Sequence, residues 1–191
     1  MRIGIFGGSF NPIHTGHAML ANWITQFTDI NRVWLMVSPQ NPLKEGYSKM
    51  LDMARLRMAE MVSAHCTNVI TSGLEFTLPR PSYTINTLDA LREKFPGDTF
   101  NIIIGADNWA IFNKWKDASR IVSEYGVIIY PRRGFDIDTS TLPENVTYLE
   151  NAPMIEISST MIRAGIKENK NMAFFLPPDV YDFILSNSLY K

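Results

Sequence analysis

The stretch IGIFGGSFNPIHTGH, residues 3–17, decides the predicted fold. Residues 3–6 are a short apolar run of strand type, and Gly7 and Gly8 follow at once. Two glycines after a strand are typical of a tight turn that brings the backbone close to a phosphate. From Ala18 onward the apolar residues recur at helical spacing. The stretch therefore predicts a strand, a glycine-containing loop and a helix, in that order.

The rest of the chain continues this alternation. Further strands are predicted at 33–37, 69–71, 100–104 and 127–130, with weaker candidates at 146–149 and 154–157. One helix is predicted to begin with Asp52 as its N-cap, one to span 84–94, and two more to begin at Ser159 and at Pro178. Residues 38–47 are predicted to form a loop. Such alternation favours an α/β fold, a doubly wound parallel sheet with helices on both faces, whose ligands bind at the carboxyl ends of the strands.

Composition narrows the class of protein. The 191 residues are 46% hydrophobic and 19% charged, which suits one globular domain spanning 1–191. A formal net charge of -1 gives no basic field for nucleic acid. We expect a cytoplasmic protein without a membrane span, because no apolar run approaches about 20 residues and the N-terminal run is too short for a signal peptide. The single cysteine, Cys66, is expected to be a small buried hydrophobe.

His14 and His17 are the first candidates for chemistry. They lie three residues apart, so both point to one side of a helix start. Two imidazoles at a helix N-terminus suit negative charge that develops on a phosphate. Zinc ligands or plain capping residues are the alternatives. Zinc is disfavoured, because the remaining histidine and cysteine, His65 and Cys66, are adjacent to each other and lie elsewhere.

The whole string 7–17 resembles the GxFxPxHxGH signature of the HIGH-type nucleotidyltransferase superfamily. The resemblance implies a Rossmann-like fold and adenylyl transfer from ATP, with His14 and His17 as catalytic residues. Neither a Walker A loop nor a GxGxxG turn is present, which disfavours a kinase or an NAD-dependent dehydrogenase. The ATP-binding residues that this signature implies are Gly7, Gly8, Ser9 and Phe10.

A second motif, ISSTMIR at 157–163, resembles the superfamily signature ISSTxxR, which holds the β- and γ-phosphates of ATP. The hydroxyls and amides of Ser158, Ser159 and Thr160 at a helix start can bind phosphate, and Arg163 follows one turn later. Taken alone, the motif would read as an ordinary capped helix. Together with the first signature it predicts the site of the leaving pyrophosphate.

Three further segments resemble the bacterial nicotinate mononucleotide adenylyltransferase family. They are PSYTINTL at 81–88, IGAD at 104–107 followed by Trp115, and NPLK at 41–44 beside the family's PPHK. Leu43 departs from that pattern, since the family commonly has histidine there. The turn PRRG at 131–134 resembles the family's RPG turn in a shifted form, so either Arg132 or Arg133 is the candidate for substrate contact.

The residue types in these segments suit the binding of such a substrate. The amides that open a helix at Thr84 can hold a carboxylate and so separate nicotinate from nicotinamide. Trp115 offers a flat face to a pyridine ring, Asp107 can accept hydrogen bonds from ribose hydroxyls, and Lys44 can meet a phosphate. A core tryptophan, a capping aspartate and a solvated lysine are the structural alternatives. The resemblance assigns Gly105 and Asp107 to ATP, and Lys44, Tyr83, Thr84 and Trp115 to the acceptor.

The expected reaction joins ATP and nicotinate mononucleotide to give nicotinate adenine dinucleotide and pyrophosphate. Mg²⁺ is expected to arrive with the ATP phosphates, without a metal site of the protein's own. A phosphopantetheine-type adenylyltransferase is the nearest alternative, and a module that senses nucleotides without turnover is an alternative of another class. The oligomeric state stays open, a homo-oligomer included.

Overall fold

The computed structural model describes residues 1–39 and 49–191. These residues form one parallel sheet of six strands: β1 (Arg2–Gly8), β2 (Arg32–Val37), β3 (Val69–Ser72), β4 (Thr99–Gly105), β5 (Val127–Tyr130) and β6 (Val146–Tyr148). The helices are α1 (Thr15–Phe27), α2 (Lys49–Ser63), α3 (Thr84–Lys94), α4 (Ala106–Trp109), α5 (Ala118–Glu124), α6 (Ser159–Lys167) and α7 (Pro178–Ser186). Short 3₁₀ turns occupy Leu74–Phe76, Phe112–Lys114, Thr139–Thr141 and Ala173–Phe175.

The strand order is β3-β2-β1-β4-β5-β6, and every neighbouring pair is parallel. Chain winding therefore reverses between β1 and β4, which is the place where a doubly wound sheet binds ligands. The Rossmann-like prediction is confirmed.

Each face of the sheet carries its own core, because successive side chains of a strand point to opposite faces. In β1, Ile3 and Ile5 enter the core under α3, α4 and α5, whereas Phe6 enters the core under α1, α2, α6 and α7. The buried residues of the central strands are almost all apolar, as a sheet covered on both faces requires.

Several local predictions were wrong. Asp52 does not cap α2, which begins at Lys49; its carboxylate is buried against Arg55 inside the first turns. Residues 154–157 form no strand: they run along the large cavity, and Ile157 packs against the core. The glycine pair is not a turn, since β1 continues through Gly8.

Two further observations bear on the sequence predictions. Cys66 is half-buried, and its thiol donates to the side-chain oxygen of Asn22 at 3.3 Å. Across 1–39 and 49–191, no helix has both the length and the apolar character that crossing a bilayer requires.

Candidate active site

Two cavities open at the carboxyl ends of β1 and β4, on opposite faces of the sheet. The large cavity measures about 450 Å³, and its lining includes Phe6, His14, His17, Asp107, Arg132 and Ser158. The small cavity measures about 170 Å³, and its lining includes Gly7, Gly8, Glu75, Thr84, Thr87 and Trp115. The switch point of the sheet thus brings the first motif, the IGAD segment and the Thr84 helix together, as predicted.

The glycines of the first motif leave room beside β1. A Cβ atom built on Gly7 would meet nothing within 4 Å, so the space there is open. One on Gly8 would lie 3.1 Å from the ring of Phe10. Phe10 itself is 2% exposed and lines neither cavity, so it is a core residue rather than a ligand contact. Ser9 is exposed on the surface of the loop.

His14 and His17 contact each other at the start of α1. His14 is the N-cap residue, and its backbone N–H donates to Nδ1 of His17 at 3.2 Å. The two rings are stacked, with centroids 3.6 Å apart. A ring nitrogen that accepts a hydrogen bond carries no proton, so the proton of a neutral His17 ring belongs on Nε2. His17 therefore offers one N–H donor to the large cavity.

The electrostatic surroundings keep both rings uncharged. Burial, followed by the positive charge of Arg132, lowers the pKa of His14 from 6.5 to about 4. Burial also lowers the pKa of His17 well below 6.5, with smaller effects from His14 and Arg132. Near pH 7 both rings are therefore neutral, and a neutral imidazole can still donate a hydrogen bond to developing negative charge.

Asp107 and Arg132 form an ion pair in the lining of the large cavity, and the two paired atoms make no hydrogen bond within 1–39 and 49–191. Oδ1 of Asp107 and Nε of Arg132 are both buried, lack a hydrogen-bond partner among the residues described, and lie 3.7 Å from each other. A Cβ atom on Gly105 would lie only 2.3 Å from that Oδ1, so a larger residue there would displace the Asp107 carboxylate. Both side chains are about 40% exposed, so their other polar atoms are accessible to a ligand in the large cavity.

The two arginines of the PRRG turn have different partners. Arg132 lines the large cavity, donates to the Tyr130 hydroxyl at 3.0 Å and lies over the Tyr130 ring. Arg133 also lines this cavity, but it is largely exposed and pairs with Glu156 at 3.1 Å. Arg132 is therefore the better candidate for substrate contact.

The second motif is joined to the first by hydrogen bonds. The Ser159 hydroxyl donates to the Pro12 carbonyl at 2.8 Å, and Arg163 donates to the Asn11 carbonyl at 2.7 Å. The Ser158 hydroxyl caps α6 by accepting from Met161 N–H, and Thr160 Oγ1 accepts from Arg163. All three predicted hydroxyls thus already have protein partners. The amides of Ser159 and Thr160, in the first turn of α6, are the groups left for an anion.

The small cavity contains some of the predicted acceptor residues and not others. Thr84 is the first residue of α3, and Trp115 is half-buried, its ring centroid 5.2 Å from that of Phe112. Tyr83 caps α3 but is 40% exposed, and it packs against Lys116 rather than lining the cavity. Lys44 lies outside the described residues, so its predicted role stays a prediction.

Sequence reasoning missed the buried polar groups that hold these loops. Arg55 is 1% exposed, pairs with Asp52 at 2.5 Å, and donates to the carbonyls of Ser9 and Ser38. It thereby ties α2 to the ends of β1 and β2. The signal was present: positions 52, 55, 59 and 62 follow helical spacing, so two charged residues continue the buried stripe of α2.

A second buried polar pair that the sequence analysis did not identify lines the small cavity. The Thr87 hydroxyl donates to the carboxylate of Glu75 at 2.9 Å, and both residues are buried. Thr87 lies one turn after Thr84 on α3, so this bond fixes the first turn of the helix against the 3₁₀ turn Leu74–Phe76.

Comparisons of the sequence and of the structure with known proteins agree with one another. Residues 5–165 match the cytidylyltransferase-like family model. A Bacteroides thetaiotaomicron protein named "Probable nicotinate-nucleotide adenylyltransferase" is 46% identical over 96% of this chain and 91% of its own length. A Flavobacterium johnsoniae protein of the same name is 40% identical over the full length of both chains. The nicotinic acid mononucleotide adenylyltransferase of Plasmodium falciparum, solved with NaAD, shares the fold at a TM-score of 0.80 and 23% identity, covering 99% of this chain and 97% of its own.

Proposed function

The chain belongs to the cytidylyltransferase-like family and, within it, to the nicotinate-nucleotide adenylyltransferases, and we propose here how its site performs their reaction. The protein transfers the adenylyl group of ATP to nicotinate mononucleotide, giving nicotinate adenine dinucleotide and pyrophosphate in NAD biosynthesis. The observation that carries the proposed roles is the pair of cavities on either side of the end of β1. ATP occupies the large cavity and the acceptor the small one, with the reacting phosphates meeting beside Gly7.

The proposed reaction is a direct displacement at the α-phosphorus of ATP. An oxygen of the acceptor phosphate attacks in line, a P–O bond forms, and the bond to the pyrophosphate breaks. Since that oxygen is already anionic, the step requires no general base and no covalent enzyme intermediate. Catalysis then comes from positioning and from donors aimed at the phosphoryl oxygens.

The polar groups of the site divide the contacts with ATP between them in this scheme. Nε2–H of His17 binds an α-phosphate oxygen, and His14 assists there or on the β-phosphate. The Ser159 and Thr160 amides, with Arg163, hold the leaving pyrophosphate. The Asp107 carboxylate accepts from ribose hydroxyls, and Arg132 supplies positive charge on the same side.

Mg²⁺ is proposed to enter with ATP. The side chains proposed to contact the phosphates, those of His14, His17 and Arg163, are nitrogen donors, which complement phosphate oxygens but are not the oxygen ligands that Mg²⁺ prefers. Phosphate oxygens and water would therefore hold the ion, which when bound neutralises phosphate charge. We further propose that residues 1–191 work as one nucleotidyltransferase domain in the cytoplasm, without nucleic-acid partners.

Trp115→Ala is expected to raise the KM for nicotinate mononucleotide about 10- to 100-fold and leave the KM for ATP within twofold, because stacking of a base on an aromatic ring is worth about 1–3 kcal/mol. Initial-rate kinetics with each substrate varied in turn measure both constants.

Trp109→Ala is the matched control for this experiment. The Trp109 ring stacks on the same Phe112, with centroids 5.1 Å apart, yet it lines neither cavity. Its KM for nicotinate mononucleotide should stay within a fewfold of the wild type. An unchanged acceptor KM in Trp115→Ala, or an equal rise in both variants, would reject stacking of the pyridine ring on Trp115.

A further inference from the structure

The C-terminal end of the chain reaches the first motif. After α7 the chain turns sharply, with Ser188 and Tyr190 at φ values of 50° and 66°, in the left-handed region. The Leu189 N–H donates to the Ile184 carbonyl at 3.0 Å and anchors the turn to α7. The Tyr190 hydroxyl then donates to Oδ1 of Asn11 at 2.7 Å, across 179 residues of sequence. Non-glycine residues keep a positive φ where their surroundings impose it, so packing determines where this side chain lies.

Asn11 is held through two of its groups by two separate elements. Arg163 of α6 donates to its backbone carbonyl at 2.7 Å, and Tyr190 donates to its side chain. The next residue, Pro12, accepts a hydrogen bond from Ser159. Two residues separate Asn11 from His14, the N-cap residue of α1. The orientation of the two histidines relative to Arg163 therefore depends on contacts made to Asn11.

The chemistry of the Tyr190 hydroxyl suits a fixed donor. The side chain is half-buried, and burial raises the pKa of Tyr190 above its usual value, against the opposing influence of the charges on Arg163 and Arg55. The hydroxyl thus stays protonated throughout the range in which the enzyme works, and its proton points to Asn11. The large cavity is not lined by Tyr190, and the hydrogen bond of its hydroxyl goes to Asn11, which is therefore the route by which the hydroxyl can affect the site.

We propose that Tyr190 is a positioning residue for phosphoryl transfer, and that its hydroxyl aligns the Asn11–His14 loop with Arg163. The inference rests on the proposed roles of His17 and Arg163. Ordinary packing of the C-terminus, which would contribute to stability alone, is the alternative to be distinguished.

Tyr190→Phe tests this proposal, because it removes the hydroxyl and keeps the ring. Loss of one hydrogen bond that aligns the transition state is expected to lower kcat about 3- to 10-fold. The KM for nicotinate mononucleotide should not change, since the acceptor cavity is on the other face of the sheet. Rates are measured well below the Tm of each variant, so that a loss of stability alone does not register.

The matched control is Tyr181→Phe. Tyr181 also donates through its hydroxyl to an asparagine, Asn171, at 3.4 Å, and it lies on α7 away from both cavities. Its kcat should stay within twofold of the wild type. Deleting Lys191 alone should likewise leave kcat unchanged, whereas deleting 190–191 should lower it at least as much as Tyr190→Phe.

A double-mutant cycle with Asn11→Ala tests the route of the effect. If Tyr190 acts through Asn11, Tyr190→Phe should cause no further loss of kcat once Asn11 is alanine. A kcat of Tyr190→Phe within twofold of the wild type, or a loss that persists undiminished in the Asn11→Ala background, overturns the proposal. Loss of activity in His17→Asn with full activity in Tyr190→Phe would reject this inference and leave the proposed phosphate site intact.

Discussion

His17→Asn is expected to lower kcat about 10²- to 10³-fold, the usual cost of removing one donor that stabilises transition-state charge. The substitution separates the two functions of the ring. The Asn amide oxygen lies near the position of Nδ1 and can still accept from the His14 backbone N–H, whereas the Nε2–H donor is lost. The helix start therefore stays capped while the phosphate loses its hydrogen bond. Pyrophosphate release under saturating substrates measures kcat.

Two further histidine variants make this result specific. His17→Gln places its amide nearer to Nε2 and should retain more activity than His17→Asn. His65→Ala removes a histidine that is exposed on the surface and paired with Asp179, and it should keep kcat within twofold of the wild type. Near-wild-type turnover in His17→Asn would contradict the role assigned to Nε2.

Asp52→Ala is expected to lower the free energy of unfolding by about 3–5 kcal/mol, because it leaves the Arg55 guanidinium buried without its counter-charge. Asp52 and Arg55 are 2% and 1% exposed, so water cannot replace the lost carboxylate. The stability follows from urea unfolding, since urea does not screen charge.

The same helix supplies the control for this prediction. Arg57 and Glu60 are also three residues apart on α2 and bonded at 3.2 Å, but both side chains are exposed. Glu60→Ala should therefore cost less than about 1 kcal/mol. If Asp52→Ala proved as mild as Glu60→Ala, the buried pair would not be the support of the Ser9 loop described above.

The overall architecture could be read from the sequence because it depends on hydrophobic periodicity. The bounds of α3 agree with the predicted 84–94, and the four clearest predicted strands after β1 all exist. Helices α4 and α5 were not predicted. They have four and seven residues, too few for a 3.6-residue period to stand out.

The site could be predicted where chemistry follows a strand and could not where it depends on tertiary contact. His14, His17 and Asp107 line one cavity as expected. Asp52 was assigned to a cap because a sequence shows the residue type and not its partner; only the fold brings Arg55, Ser9 and Ser38 together. The contact of Tyr190 with Asn11 spans almost the whole chain, and no local pattern encodes it.

Pyrophosphate release with ATP and one acceptor at a time is the most direct test of the function. Nicotinate mononucleotide, nicotinamide mononucleotide and phosphopantetheine are offered separately to the wild-type protein. The fastest release is expected with nicotinate mononucleotide, since the amides at the start of α3 bind its anionic carboxylate more strongly than the neutral carboxamide of nicotinamide mononucleotide. Release with phosphopantetheine but not with nicotinate mononucleotide, or no release with any acceptor, would contradict adenylyl transfer to nicotinate mononucleotide.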